Sequence, residues 1–292
     1  MSGPVTKGTD LPVLLPAAHK LAATAAAERL TGPIPRPTLR LGLFLFAIFV
    51  FSIGLAHAQA APEDAETPLD ALWRWMPVLL EGFVFNIAIS FIAMMMGTVV
   101  GTLLGLGQIS LMPAVRGSSW FVTQFFRNAP WLVLLFLVML LVPFEFRFGN
   151  IVIPFPGWIK ATIGLALPVM ANVSEIVRGA INSVPSGQWE SSDSLAFSRR
   201  QTIFSIILPQ CYKRMIPPWM NLYAILTMAT VLASIVGVDE MMTQTRRALA
   251  AEGGATQLLV PFYSFVLICF FVYCYPIARL TIRLERRFAV KL

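Results

Sequence analysis

Long apolar runs alternate with short polar connections along most of the chain. The runs cover about residues 77–106, 120–144, 158–181, 215–236 and 258–278. Each reaches the ~20 residues that a helix needs to cross a bilayer. A sixth run, "LGLFLFAIFVFSIGLA" at 41–56, is 16 residues long and falls short of that length. The 120–144 run is interrupted early by Arg127-Asn128-Ala129-Pro130. The 77–106 run holds "GTVVGTLLGLG", with Gly97, Gly101 and Gly105 four apart. Small residues at that spacing let membrane helices approach closely, and packing within the chain is the simplest use for them. The pattern predicts an all-α integral membrane protein of five core helices plus one N-terminal apolar segment.

The connections differ in kind. "FEFRFGNIVIPFPGW" after Val142 reads as an external connection with a short re-entrant or interfacial piece, and "VDEMMTQTRRALAAEGGAT" from Val238 as a polar external one. The stretch 182–214 is longer and more organised. Pro185-Ser186-Gly187 is a turn signal. Gln188 to Phe197 lacks Pro and Gly and fits a short helix. Ser198 is placed to cap a second helix over Arg199–Leu208, which Pro209 would end or kink. Two helices joined by a tight turn suggest a docking element for a partner. The competing reading is an interfacial helix lying on the lipid headgroups, anchored by Trp189.

Composition supports the membrane class. Of the 292 residues, 57% are hydrophobic and only 13% charged, which excludes an ordinary soluble domain. The net charge of +7 sets orientation rather than a nucleic-acid surface. Arg199, Arg200, Lys213 and Arg214 fall in one connection, and Arg279, Arg283, Arg286, Arg287 and Lys291 at the C-terminus. Both sides are therefore assigned to the cytoplasm, and Glu63, Asp64, Glu66 and Asp70 to the opposite side. Arg246 and Arg247 go against the trend, offset by Asp239, Glu240 and Glu252. Cys211, Cys269 and Cys274 lack ligand-like spacing, and His19 and His57 are isolated, so neither a disulfide framework nor a metal site is expected. Residues 1–40, rich in Pro, Ala and Thr, read as a disordered cytoplasmic tail. For 41–61 two readings stay open: a retained first helix, or a signal peptide cleaved at the Ala56-His57-Ala58 pattern.

The 182–210 connection resembles the cytoplasmic signature loop of permease subunits of binding-protein-dependent ABC importers. That loop reads Glu-Ala-Ala, three residues, Gly, nine residues, Ile, one residue, Leu-Pro. The matching positions here are Glu190, Ser191, Ser192, Ala196, Ile206, Leu208 and Pro209. The flanks "EIVRGAINSVPSGQ" and "ILPQ" are similar to the polar amino acid branch, which serves histidine, arginine, glutamine and glutamate-type importers. "FRNAP", "IPPWMN" and "VLASIVGVDEM" resemble further segments of that branch, and the resemblance covers residues 77–288. The chain departs from the pattern at Ser191 and Ser192, which replace alanines, and at Ala196, which replaces the glycine. A turn that is less tight, or placed at Ser198, is the expected consequence. Met228-Ala229-Thr230-Val231 and Ala171-Asn172-Val173-Ser174-Glu175 also depart from the branch, which bears on substrate more than on architecture.

The resemblance implies a type I ABC importer transmembrane fold, a multi-pass place in a bacterial inner membrane and, if 41–61 is retained, both termini in the cytoplasm. It implies three partners besides the bilayer: an ATP-binding cassette ATPase, an extracytoplasmic solute-binding protein facing 57–76, 143–157 and 238–257, and a second permease subunit, identical or related. Gly187, Gln188, Trp189, Glu190, Ser191, Ser192, Ala196 and Phe197 would form the ATPase-coupling element. The chain has no phosphate-binding loop, so no cofactor is expected on it and ATP hydrolysis falls to the partner. Glu175 and Arg178, three apart on one helix face, form a candidate gating pair. Asn86, Asn172 and Asn221 would line the pathway or bond between helices. Two other classes compete. A secondary transporter or channel would show repeats or deep acidic residues, and a membrane enzyme would show a catalytic constellation; neither pattern is found.

Overall fold

The computed structural model describes residues 67–149 and 151–288. The expectations for the 1–40 tail, the 41–61 segment, His19, His57 and Lys291 lie outside the described residues. Helix α1 spans Pro68–Gln108, with Pro68 in its first turn and the Thr67 hydroxyl accepting from the Asp70 amide. At ~1.5 Å per residue it is longer than the ~30 Å hydrocarbon layer. It starts well before the predicted 77 because Pro77 is carried inside it.

Helices α2 (Pro113–Asn128) and α3 (Trp131–Leu141) are bent by 105° at Ala129-Pro130. Proline cannot donate the backbone hydrogen bond that would continue α2. An antiparallel hairpin of β1 (Glu145–Phe148) and β2 (Ile151–Pro154) follows, pairing Glu145 with Pro154 and Arg147 with Val152. The piece expected as re-entrant or interfacial is thus a β-hairpin. Phe144, Phe146 and Phe148 alternate with Glu145 and Arg147, a period of two that fits a strand. Helix α4 (Gly157–Asn182) is the most buried of the candidate membrane spans. Near its start Lys160 is fully buried, with Nζ 3.2 Å from the centre of the Phe144 ring and 3.4 Å from the Met139 carbonyl at the end of α3.

After α5 (Ser186–Ser194) and the short α6 (Arg199–Gln201), one i→i+5 turn over Thr202–Ile207 leads into α7 (Leu208–Ala229). A tighter turn at Thr230–Ser234 completes a helical run over Arg199–Ser234. The second loop helix therefore does not stop at Pro209. The wide turn, closed by the Leu208 amide on the Ile203 carbonyl, lies just before the proline, where a regular α-turn would drive its ring into a carbonyl. Pro217 and Pro218 are also held inside α7. Helix α8 (Met241–Ala251) stands where only a polar connection was expected, with Met241, Thr245, Ala248 and Leu249 on its buried face. Helix α9 spans Thr256–Phe288.

Two apolar clusters hold these elements. One joins α1, α3, α4 and α7 through Ile89, Leu135, Leu165, Val169 and Leu226; the other joins α1, α8 and α9 through Leu79, Met241, Phe262 and Phe270. The glycine stripe sits at the α1–α4 contact. A Cβ at Gly97 would lie 2.4 Å from Val169 Cγ1, at Gly101 2.5 Å from the Met170 carbonyl oxygen, and at Gly105 2.8 Å from the Ser174 carbonyl oxygen. Close packing within the subunit is thus how the small residues are used.

A buried polar knot joins the second cluster to the first. Glu240 caps α8, accepting from the amides of Met242 (3.1 Å) and Thr243 (2.8 Å). Asn86 of α1 donates to Glu240 at 2.9 Å and to the Thr230 hydroxyl at 2.9 Å, and accepts from the Met241 amide at 3.1 Å. Glu240, Asn86 and Thr230 are all fully buried. Burial pushes the Glu240 carboxyl above the usual carboxylate range, and its donors, Asn86 foremost, pull it back down. On the same side, Arg247 pairs with Asp239 at 2.6 Å, and Glu252 accepts from Arg74 at 2.8 Å and the Trp75 indole at 2.7 Å.

Candidate functional site

The 182–210 connection is tightly built. Helix α5 ends at Ser194, so Ala196 and Phe197 lie beyond the helix expected over Gln188 to Phe197. The Phe197 amide donates to the Ser192 carbonyl and the Ala196 amide to the Asp193 carbonyl, the paired bonds of a Schellman helix end. Its left-handed position is Ala196, at φ +56°, the single non-glycine residue with positive φ among the described residues. The turn is thus as tight as a glycine would allow and is centred on Ala196, not relaxed and not moved to Ser198. Ser198 instead opens α6 through a reciprocal capping box: its hydroxyl accepts from the Gln201 amide at 3.4 Å, and Gln201 Oε1 accepts from the Ser198 amide at 2.9 Å.

The side chains of α5 divide between two directions. Ser192 is buried, its hydroxyl donating to the Gln188 carbonyl at 2.7 Å. Trp189 is half-buried against the first cluster, with the Arg199 guanidinium 4.5 Å over its ring. It clamps the loop to its own subunit rather than standing free. Gly187, Gln188, Glu190, Ser191, Ala196 and Phe197 are exposed, as is Leu195, which sequence reasoning did not single out. The Gln188 side chain accepts from Gln210 Nε2 at 3.2 Å, tying α5 to α7.

Behind this loop α4 and α7 enclose an open cavity of about 630 Å³. Its wall includes Asn172, Glu175 and Gly179 of α4, Arg214, Pro218, Asn221 and Ile225 of α7, and Arg127 of α2. Glu175 and Arg178 form the expected pair, in a two-point arrangement: Nη2 to Oε2 at 2.6 Å and Nε to Oε1 at 3.2 Å. Arg127, from the interruption in the 120–144 run, adds a third contact to Glu175 at 3.4 Å. Arg214 donates to the Ser183 hydroxyl at 2.6 Å. Two guanidinium groups, those of Arg178 and Arg127, therefore hold one carboxylate, and Arg214 lines the same cavity. Asn172 turns its amide onto the Pro168 carbonyl of its own helix at 2.8 Å, and Asn221 is exposed to the cavity. Of the three asparagines, Asn86 makes the bonds between elements, and it does so away from the cavity.

Beside Glu175 lies a second polar group that the sequence reading missed. Gln108, at the end of α1, donates to Ser174 at 2.8 Å and to Thr123 at 3.2 Å, and those two hydroxyls are 3.0 Å apart. All three are buried, and they join α1, α2 and α4. A lone glutamine at the polar end of an apolar run was the available signal.

Residues 97–290 match the family model described as "Binding-protein-dependent transport system inner membrane component". The chain belongs to that family. Among curated relatives, the "Probable amino-acid ABC transporter permease protein YckA" of Bacillus subtilis (strain 168) is 35% identical over 170 residues, which covers 58% of this chain and 73% of that one. The "L-cystine transport system permease protein TcyB" of the same organism is 30% identical over 213 residues, 72% of this chain and 86% of that one. A solved chain from the "Crystal structure of an amino acid ABC transporter with histidines" aligns with a TM-score of 0.64 at 21% identity, covering 76% of this chain and 99% of that chain. A chain of the inward-facing MetNI methionine ABC transporter aligns with a TM-score of 0.55 at 16% identity, covering 77% of this chain and all of that one. The fold is that of the type I ABC importer permeases, and the chain is a multi-pass membrane permease.

Proposed function

We propose that this permease forms half of the translocation pathway of an ATP-driven importer of polar amino acids in a bacterial inner membrane, moved by a separate ATPase through the 182–210 loop. One observation carries the reading: the second loop helix runs from Arg199 through its wide turn into α7, which walls the cavity, and the Gln188–Gln210 bond ties α5 to that run. A push on the exposed residues of the loop, Glu190 and Ser191 of α5 and Phe197 beyond it, would be handed to Arg214 and Asn221. The cavity suits an amino acid zwitterion. Glu175 can receive an ammonium group, and the guanidinium groups of Arg127 and Arg214 can receive a carboxylate. A solute-binding protein would deliver substrate on the face of the β1–β2 hairpin and α8, and a second permease would supply the other half of the pathway. The relatives' names, an amino-acid permease and a cystine permease, support the substrate class.

The test reverses the charge of an exposed loop residue that has no role in the internal packing. Wild type and Glu190→Arg are co-expressed with the ATP-binding subunit and compared for co-purification and for ATP-dependent amino acid uptake in proteoliposomes. The variant is expected to lose both. Unchanged association and uptake would show that the loop is not the docking element, and uptake by the purified chain without any ATPase would overturn the whole reading.

A further inference from the structure

A second groove, of about 370 Å³, lies between the turn after α1 and the start of the α6–α7 run. Leu106, Ile109, Ser110 and Leu111 form one wall, and Arg199, Arg200, Ile203 and Phe204 the other. Its chemistry is divided. Arg199 is fixed over Trp189, whereas the Arg200 guanidinium has no carboxylate or hydrogen-bond partner among the described residues. Leu111 and Phe204 are 72% and 55% exposed, too apolar to be left in water at the groove mouth. Up α1 from Leu106, at spacings of three and four, Leu103 and Val99 continue an exposed apolar track along a membrane span.

We propose that this groove holds an anionic phospholipid of the surrounding leaflet. Its phosphate would sit on Arg200 and Arg199, with the Ser110 hydroxyl as a further donor. An acyl chain would run against Phe204 and Leu111 and up the Leu103–Val99 track. Charge complementarity selects the headgroup: neither Arg199 nor Arg200 has an ion-pair partner among the described residues, and both lie in the polar connection where the apolar spans end. The apolar track selects a lipid over a free phosphate, which would leave Leu111 and Phe204 uncovered. The proposal needs only the chain's place in the membrane and does not depend on the coupling or substrate readings.

The test places the full chain in nanodiscs of equal parts phosphatidylglycerol and phosphatidylcholine, releases it into mild detergent, and counts retained lipids by native mass spectrometry. Wild type is expected to keep phosphatidylglycerol in preference to phosphatidylcholine. Arg200→Gln should lower that preference roughly fivefold, and Arg200→Lys should keep most of it, which separates charge from folding. Arg283→Gln, at an exposed arginine of α9, should leave it unchanged. Equal preference in wild type and Arg200→Gln would overturn the site. Release of the lipid by millimolar inorganic phosphate would also overturn it, because the groove would then be a free-anion site.

Discussion

Ala196 carries the strain of the loop turn, and removing that strain has a calculable effect. An L-residue in the left-handed region costs ~1–2 kcal/mol that glycine does not pay. Glycine in turn adds ~0.4–1 kcal/mol of freedom to the opened chain. Ala196→Gly should therefore stabilise the closed turn by a net ~0.5–1 kcal/mol, provided that the Phe197–Ser192 and Ala196–Asp193 bonds persist. The gain is local, because α5 is held to the subunit mainly by Trp189, Ser192 and Gln188. Global melting is thus the wrong readout. Hydrogen exchange of peptides covering 186–201 in nanodiscs is the right one, with exchange in Ala196→Gly expected to slow roughly two- to fivefold. Ala196→Val, which puts a β-branched side chain at φ +56°, should accelerate exchange over the same peptides while leaving α4 and α9 unchanged. If Ala196→Gly exchanges as fast as wild type or faster, or if valine protects the turn as well as alanine does, the left-handed assignment at 196 is wrong.

Gly101→Ala should destabilise the α1–α4 contact by roughly 1–3 kcal/mol, because the new Cβ meets the Met170 carbonyl oxygen, which is backbone and cannot rotate away; a lower unfolding temperature in detergent, against little change for Gly117→Ala in open space, checks it. Asn86→Ala strips the buried Met241 amide of its partner and removes one of the two bonds to Glu240 Oε2, at a cost of about 2–4 kcal/mol. It also leaves the Glu240 carboxyl higher still. A buried acid with a raised folded value stabilises most when protonated, so the stability of the variant should fall more steeply than that of wild type as pH rises through that value. Glu252 has the opposite sign: the Trp75 indole and then Arg74 hold it below the ordinary carboxylate range, so its contribution is present above pH ~4.3 and is lost as pH falls through the depressed value. Glu252→Gln should melt below wild type at neutral pH, and the two curves should converge in acid.

Four of the membrane spans were legible because each apolar run is long enough to cross a bilayer, whereas the 120–144 run is divided between α2 and α3 by the bend. The Glu175–Arg178 pair was legible because i and i+3 face each other on any helix. The signature-loop spacing placed the turn within a few residues, yet its geometry depended on whether alanine would accept a left-handed backbone, and the two hydrogen bonds of the Schellman end settle that in favour of Ala196. Bonds across long sequence separations were beyond reach: Asn86 meets Glu240 across 154 positions. Arg127 meets Glu175 across 48 positions, at the end of α2 just before the chain bends. The hairpin and α8 had usable local signals, a period of two before Gly149-Asn150 and an i, i+4, i+7, i+8 stripe from Met241. A hydropathy reading overlooks both, since neither segment is apolar enough to stand out.

Pro217 and Pro218 have a mechanical consequence. Neither can donate a backbone hydrogen bond, so α7 lacks two consecutive rungs of its ladder where Pro218 faces the cavity. A rod loaded at one end bends where it is softest. With its loop end clamped by Trp189 and Gln188 and Thr230 at its other end held in the buried knot, α7 has its compliance beside Asn221 and Arg214. Force applied to the loop would then be absorbed as a change in cavity shape instead of being dissipated at either fixed end.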